Sequence, residues 1–250
     1  MRARRVGASP FPELKRSMRR ATLLTDFGTR DGYVAAMKGV IAAIAPSALV
    51  EDASHDIPHG DILAAAFSLR RYWAWYPRGS VHVVVVDPGV GSERAALAME
   101  AEGHFFVGPD NGVFTFIPGG TTVTLETAQA SSRTFHGRDV FAPAAGRLLA
   151  GAQLHELGAP AHERVALALP SRPQVIAVDR FGNLITNVDE PADVEIGGRT
   201  VRLARTYADA PVGGLLALMN SDGLLEIAVR NGSAAETLGV SRGAEIRLLG

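Results

Sequence analysis

Three aspartates in this sequence, Asp26, Asp87 and Asp110, come at or just beyond the ends of apolar segments that have the composition of buried β-strands. The segments are residues 21–25, 81–86 and 105–107. Taken singly, each aspartate is explained as a helix cap or as the first residue of a tight turn. Together they favour a ligand crevice, because ligands of α/β proteins bind beyond the carboxyl ends of the strands.

Carboxylates at these positions fit hydroxyl groups and cations, because an ionised carboxylate only accepts hydrogen bonds. The loop Gly89-Val90-Gly91 offers backbone amides to a phosphate, but the chain lacks the complete G-x-G-x-x-G pattern and the P-loop lysine. Asp26 and Asp87 would also repel a phosphate. No Gly-x-Ser-x-Gly sequence supports a serine nucleophile, and the absence of cysteine excludes a thiol nucleophile.

Among the histidines, His136 is the candidate of interest, since it stands just before a predicted helix in Phe135-His136-Gly137-Arg138-Asp139. Considered alone, a polar residue at the start of a helix is the simpler explanation. His55 and His59 flank a turn together with two aspartates, but their spacing is not that of a metal site. We therefore interpret this stretch as a solvated loop and expect no metal.

Helical periodicity alternates with short apolar runs over the first two thirds of the chain, which predicts an α/β layer fold with a mostly parallel central sheet. The predicted helices span residues 31–44, 61–71 (capped by Asp61) and 141–150. A linker is predicted at residues 170–173. The short, closely spaced strands after it predict a smaller all-β domain, a barrel or a sandwich. We expect the two domains at residues 21–170 and 174–250.

Composition and charge restrict the class of protein. The chain has 250 residues, is 47% apolar and carries a formal net charge of −1. Residues 1–20 hold seven basic residues and one acidic residue, which predicts a basic, disordered extension, whereas the acidic remainder argues against nucleic-acid binding. No apolar run approaches the ~20 residues of a membrane span, and the extension lacks the apolar stretch of a secretory signal. We expect a cytoplasmic protein with no membrane partner.

Five segments occur in the order that is found in a known family. They are Thr25-Asp26-Phe27-Gly28-Thr29-Arg30-Asp31-Gly32, Val86-Asp87-Pro88-Gly89-Val90-Gly91-Ser92, Val107-Gly108-Pro109-Asp110-Asn111-Gly112, Phe135-His136-Gly137-Arg138-Asp139 and Asp179-Arg180-Phe181-Gly182-Asn183-Leu184-Ile185-Thr186-Asn187. With these segments the chain resembles the S-adenosyl-L-methionine (SAM) hydroxide adenosyltransferases, the adenosine-forming SAM hydrolases. These are relatives of the SAM-dependent fluorinase and chlorinase. The resemblance runs from about residue 21 to the C-terminus.

The resemblance implies an N-terminal α/β domain, a C-terminal β-barrel domain, and a homotrimer with sites between subunits. It also implies that Asp87, Arg94 and His136 form a triad that positions a nucleophilic water. The halogenating relatives replace this aspartate with an aromatic residue and carry an insertion in the first domain. This sequence has Asp87 and no such insertion, which favours water over halide as the nucleophile.

Substrate contacts are implied by the same resemblance. Asp26 matches the position that binds the ribose hydroxyls, and Asp31 and Asp179 match positions near the amino-acid part of SAM. The remaining matches lie in the C-terminal domain: the adenine contact Asn183 with Phe181 beside it, and the methionine carboxylate contact Ser221. The next residue, Asp222, departs from the halogenases, which have an arginine there.

The implied reaction is displacement at the ribose C5′ of SAM by water, which gives adenosine and L-methionine. SAM is then the substrate, and no cofactor is expected. Two alternatives stay open at this point. One is a SAM-dependent halogenase that forms 5′-halo-5′-deoxyadenosine, and the other is a protein that binds SAM or adenosine without turnover.

Overall fold

The computed structural model describes residues 19–128 and 130–249, and the chain divides into two units that meet between Leu167 and Ala168. This division lies close to the predicted linker at residues 170–173. Of the predicted extension, only Arg19 and Arg20 belong to the described residues; Arg20 begins the first strand, and Arg19 Nη1 donates to Leu148 O at 2.7 Å. In the described ranges, no helix is long and apolar enough to cross a membrane.

A seven-stranded sheet forms the centre of the first unit, in the order β2-β1-β3-β5-β4-β6-β7. Its strands are β1 (Arg20–Thr25), β2 (Leu49–Ser54), β3 (Val81–Val85), β4 (Ala96–Ala101), β5 (His104–Pro109), β6 (Thr121–Leu125) and β7 (Gly158–Ala161). The predicted α/β class is confirmed, and β4 and β5 form an antiparallel hairpin. The sheet is more mixed than expected, because this hairpin turns the chain back and the three pairs β4–β5, β4–β6 and β6–β7 are antiparallel.

Helices cover both faces of this sheet. Helices α1 (Tyr33–Ile44) and α3 (Ala142–Ala150) pack on one face, and α2 (Ile62–Tyr72) packs on the other. Successive strand residues point to opposite faces, so Leu23 packs with α1 and α3 while Leu24 packs with α2. Burial on both faces explains the continuous apolar run of β3. The cap predicted at Asp61 is confirmed by its hydrogen bond from Ala64 N at 3.0 Å.

The second unit is a small closed barrel, as expected. Its strands form two antiparallel sheets of order β12-β13-β9-β8 and β11-β10-β14, and isolated bridges join Gln174 to Glu245 and Leu203 to Ala217 at their edges. The elements are β8 (Val175–Val178), β9 (Leu184–Thr186), β10 (Asp193–Ile196), β11 (Arg199–Val201), β12 (Leu215–Met219), β13 (Leu225–Val229), α4 (Ala234–Leu238) and β14 (Arg247–Leu249). The sequence did not predict β12 or the short helix α4.

Two buried histidines lie on neighbouring strands of the first unit, far from any predicted site. The Nε2 atom of His82 on β3 lies 3.2 Å from Nδ1 of His104 on β5, and Nδ1 of His82 lies 2.9 Å from the Thr22 hydroxyl. Burial lowers the pKa of His82 well below its ordinary value, and the His104 ring lowers it further. Burial, with the nearby Arg78 guanidinium, lowers the pKa of His104 to about 4.

These histidines should make the first unit sensitive to acid. A histidine with a depressed pKa stays neutral in the folded state while the unfolded chain takes up a proton. The stability that this histidine contributes to the folded state is therefore fully present above about pH 6.5 and is lost as the pH falls towards 4. For His104 alone, the loss between pH 7.5 and pH 5 is roughly 2 kcal/mol.

Replacing His104→Gln should therefore reduce the difference between the urea unfolding midpoints at pH 7.5 and pH 5. The same substitution at the exposed His155 is the control and should leave that difference as it is in the wild type. An unchanged difference in His104→Gln would contradict the assignment.

Candidate active site

The predicted aspartates gather at one edge of the seven-stranded sheet. Strands β1, β3 and β5 are parallel neighbours, and Asp26, Asp87 and Asp110 follow their carboxyl ends. Asp110 is engaged in structure, because its Oδ1 accepts the Val165 backbone amide at 2.8 Å. Asp26 and Asp87 lie at the ends of the neighbouring strands β1 and β3.

Asp87, Arg94 and His136 form a continuous chain of hydrogen bonds. Arg94 Nε donates to Asp87 Oδ1 at 2.9 Å, and its Nη2 donates both to Asp87 Oδ2 and, at 3.0 Å, to His136 Nδ1. The Arg94 and Asp87 side chains are only 9% and 4% exposed. The guanidinium lies over the Phe141 ring, 5.4 Å from its centroid. The structure thus brings together the three residues of the expected triad.

The loop after β3 folds back on itself and so places Arg94 beside Asp87. Val90 N donates to Asp87 O at 3.2 Å, and Ser92 N donates to Gly89 O at 3.1 Å, which makes two successive turns. Gly91 has φ +78, and a Cβ there would lie 2.8 Å from Arg133 O. Only glycine fits this position, because both the left-handed backbone and the close approach exclude a side chain.

His136 stands at the start of an irregular helix, as the sequence indicated. Residues Gly137–Phe141 form a π-helical turn that continues into α3. Turns of this kind occur frequently at functional sites. Asp139 fixes the segment before it, since its Oδ2 accepts the Ser132 amide at 2.8 Å. The pattern of apolar residues does not reveal the π turn, because a π turn contains only one residue more than an α-helical turn.

The surroundings of His136 keep its ring neutral. Burial lowers the pKa of His136, and the Arg94 guanidinium lowers it further, which together outweigh the carboxylates of Asp87 and Asp139. A guanidinium has no acceptor, so Nδ1 must accept the Arg94 hydrogen bond. The single proton of the neutral ring therefore sits on Nε2, which is a hydrogen-bond donor.

Asp26 lies next to this triad. Its Oδ2 accepts the Gly60 amide at 2.9 Å and lies 3.3 Å from Nδ1 of the exposed His59. A Cβ on Gly60 would lie 3.6 Å from the Pro88 side chain. Gly60 therefore lies between Asp26 and the loop that holds Asp87. The Asp26 side chain is 6% exposed, and its Oδ1 has no partner among the described residues. Asp31 is exposed in the turn before α1.

The candidate residues of the second unit lie in two turns. Asp179 organises the first: its Oδ1 accepts the amides of Phe181 and Asn183 at 2.8 and 2.9 Å, and its Oδ2 accepts Asn183 Nδ2 at 2.9 Å. Asn183 is buried, whereas Phe181 is 75% exposed. Ser221 is exposed in the second turn, which Asn220 Oδ1 closes by accepting the amide of Leu224 at 3.1 Å.

Two polar side chains beside these turns are not predicted from the sequence. The Tyr207 hydroxyl donates to Glu226 Oε1 at 2.6 Å, and Glu226 is a buried carboxylate on β13. Burial raises the pKa of Tyr207, and the carboxylates of Glu226 and Asp179 raise it further. A glutamate inside an otherwise apolar strand was the available signal, because a buried carboxylate needs a hydrogen-bond partner.

The interpretation of His55 as part of a solvated loop was wrong. His55 is 5% exposed and lies between Thr25 at the end of β1 and Asp52 on β2. It follows the edge strand β2, whose neighbour is β1, and this pairing turns the ring inward. Across residues 19–128 and 130–249, no group of three or more His, Cys, Asp or Glu side chains could hold a metal ion.

Comparisons with known proteins agree with this architecture. Residues 21–158 match the family model of the SAM hydroxide adenosyltransferase N-terminal domain, and residues 173–247 match that of the C-terminal domain. Among solved structures, a conserved hypothetical protein from Thermus thermophilus has a TM-score of 0.80 and 41% identity, covering 93% of this chain and 100% of its own. An uncharacterized conserved protein from Thermotoga maritima has a TM-score of 0.82 and 33% identity, covering 90% and 98%.

Curated relatives carry functional names. A protein named (R)-S-adenosyl-L-methionine hydrolase from Thermus thermophilus is 42% identical, over 93% of this chain and 100% of its own length. A second with that name, from Salinispora arenicola, is 40% identical over 90% and 95%. A fluorinase from Actinoplanes sp. is more distant, at 24% identity over 67% of each chain. Because both domain models match in order and together cover most of its length, this chain belongs to the SAM hydroxide adenosyltransferase family.

Proposed function

We propose that this protein hydrolyses SAM to adenosine and L-methionine. The observation that carries the proposal is the buried chain from Asp87 through Arg94 to the neutral His136, placed beside Asp26 at the carboxyl edge of the sheet. The relatives named SAM hydrolases, 42% and 40% identical over nearly their full length, support the same substrate and reaction.

The reaction forms a bond from a water oxygen to the ribose C5′ and breaks the bond from C5′ to sulfur. The sulfur takes the electron pair and becomes the thioether of methionine, so no acid needs to protonate the leaving group. The obstacle is a weak nucleophile that must approach in line with the breaking bond. Holding the reactants in that geometry can lower a barrier by up to ~7–11 kcal/mol.

The triad residues take distinct roles in this scheme. Arg94, which is always cationic, stabilises the hydroxide character that develops on the water oxygen. His136 donates from Nε2 to the same oxygen and cannot take its proton there, because that nitrogen already carries one. Asp87 is then the group that receives the water proton. Each of its oxygens accepts one hydrogen bond from Arg94 and keeps a further lone pair.

The substrate contacts remain proposals that follow the family pattern. Asp26 binds the ribose diol, for which its Oδ1 is available. Asp31 lies near the amino-acid part of SAM. In the second unit, Asp179 acts by shaping the turn that presents Asn183 and Phe181, since both of its oxygens are engaged there. Ser221 contacts the methionine carboxylate.

The choice of substrate and of nucleophile follows from the same scheme. SAM is the only small molecule that the proposal needs, with no further cofactor, and the cytoplasmic location expected from the sequence stays a prediction. Water is favoured over halide because Asp87 occupies the triad position that the halogenases fill with an aromatic residue. Tight SAM binding without turnover is the other alternative, and a pure binder needs no charged triad.

Removing Arg94 should abolish turnover without removing binding. We expect Arg94→Ala to lower kcat for SAM about 100-fold or more, since a charge-stabilising donor is lost. Its affinity for adenosine, measured by calorimetry, should stay within a few-fold of the wild type. Chromatography of the wild-type reaction should show adenosine, also when chloride or fluoride is present.

Arg138→Ala is the control for the loss of a paired arginine, at a more exposed position. Arg138 also pairs with an aspartate through two nitrogens, at 2.6 and 3.0 Å, and also lies over a phenylalanine ring, at 5.1 Å. This variant should keep kcat within a few-fold of the wild type. Near-normal kcat in Arg94→Ala would remove Arg94 from the mechanism, and a 5′-halo product would replace the hydrolase by a halogenase.

The pKa of His136 should respond in opposite directions to the loss of its two charged neighbours. Arg94→Gln removes a cation that disfavours protonation, so the pKa of His136 should rise. Asp87→Asn removes an anion that favours protonation, so it should fall further. An NMR titration of the His136 ring protons measures both shifts, and shifts of the same sign in the two variants would contradict the electrostatic assignment.

We further propose that the protein is a homotrimer in which residues of the first unit of one subunit work with second-unit residues of a neighbour. Mixing Asp87→Ala chains with Asn183→Ala chains should then restore part of the activity, because some sites receive two intact halves. Each variant must be inactive alone. A monomer in light scattering, or no recovery after proven subunit exchange, would rule out shared sites.

A further inference from the structure

We propose that His55 is a positioning residue for Asp26, and that it acts through a directional chain of hydrogen bonds that runs from the ribose-binding turn to the surface. The inference rests on the proposed function, in which Asp26 holds the ribose of SAM. Neither the triad nor the implied substrate contacts include His55, although it lies directly behind the turn Thr25-Asp26-Phe27-Gly28.

The chain consists of four hydrogen bonds. Phe27 N donates to Thr25 Oγ1 at 3.2 Å, Thr25 Oγ1 lies 2.9 Å from His55 Nδ1, and His55 Nε2 lies 2.9 Å from Asp52 Oδ1. Lys38 on α1 closes the far end, donating to Asp52 Oδ2 at 2.7 Å. Thr25 is fully buried, while Asp52 reaches the surface with a side-chain exposure of 47%.

The charge of Asp52 and the partners of Thr25 determine which atom donates in each hydrogen bond of the chain. Burial alone would raise the pKa of Asp52, but the hydrogen bonds from Lys38 and His55 outweigh it and lower that pKa below its ordinary value. An ionised Asp52 only accepts, so His55 Nε2 carries a proton. The buried Thr25 hydroxyl accepts the Phe27 amide, and His55 Nδ1 is its one other partner among the described residues, so Nδ1 accepts the hydroxyl hydrogen.

This pattern has the polarity of an acid–histidine–hydroxyl triad, yet it cannot perform nucleophilic catalysis. Thr25 is 0% exposed, and its oxygen is occupied by the Phe27 amide, so no substrate can reach it. Its effect is on the backbone instead. Gly28 N donates to His55 O at 2.9 Å, so both amides that follow Asp26 are bound to Thr25 or His55. The carboxylate of Asp26 is thereby aimed before substrate arrives.

The test compares two threonines on the same strand. Thr25→Val keeps the shape and removes the hydroxyl, and we expect KM for SAM and Kd for adenosine to rise about tenfold, with kcat changed much less. Thr25→Ser keeps the hydroxyl and should return both constants close to the wild type. Thr22→Val is the control, because Thr22 is also fully buried on β1 and bonds a histidine Nδ1 at 2.9 Å.

Thr22→Val should lower Tm by a similar amount and leave KM and Kd within about twofold of the wild type. If Thr25→Val raises KM and Kd no more than Thr22→Val does, the hydroxyl has only a structural role and the proposal fails. It also fails if Thr25→Ser behaves like Thr25→Val.

A second measurement needs neither a variant nor turnover. One-bond ¹⁵N–¹H couplings of the His55 ring in the wild type should place the proton on Nε2, and a proton on Nδ1 overturns the chain. A wild-type protein that neither releases adenosine from SAM nor binds adenosine overturns the proposed function itself. Wild-type turnover together with an unchanged KM in Thr25→Val overturns only the role of His55.

Discussion

The ion pair between Asp87 and Arg94 is the constraint on which the site depends, because both side chains are buried and each satisfies hydrogen bonds of the other. Removing one partner of a buried pair typically costs about 3–5 kcal/mol. The pair therefore dictates the path of the loop between its members, including the glycine at position 91 that lies against Arg133. It also dictates the state of His136, since Nη2 of the guanidinium that pairs with Asp87 directs its second hydrogen at Nδ1, which must accept it.

The parallel pairing of β1 with β3 places the turn after Thr25 beside the loop that contains the ion pair. Both strands end at the same edge, so the turn after Thr25 and the loop after Val85 meet there. Gly60 links them, since its amide binds Asp26 and its α-carbon faces Pro88. Two buried threonine hydroxyls of β1 each have a histidine partner on an adjacent segment, Thr22 with His82 and Thr25 with His55. Such networks are stable only when every member has a partner.

The sequence was sufficient where burial dictates residue type. The run of β3, the cap Asp61 and the clustering of aspartates at strand ends all follow from local rules, and the structure has them. The antiparallel pairing of β4 with β5 makes the sheet mixed. The composition of a strand does not reveal the direction in which it runs. The inward orientation of His55 depends on the pairing of β2 with β1, a contact between distant parts of the chain.

Charge at the edge of the sheet bears on the choice of nucleophile in the proposed reaction. Among the first-unit side chains assigned to the site, Asp26, Asp31 and Asp87 are acidic and Arg94 is the cation, which Asp87 already neutralises. The neutral His136 adds no positive charge. Unit charges 4 Å apart interact by about 1 kcal/mol in water and about 4 kcal/mol at an effective dielectric constant of 20. A sulfonium is attracted to this surplus of negative charge and a halide is repelled, whereas water is indifferent to it. In the proposed reaction, the carboxylates assigned to the cationic substrate therefore also select an uncharged nucleophile.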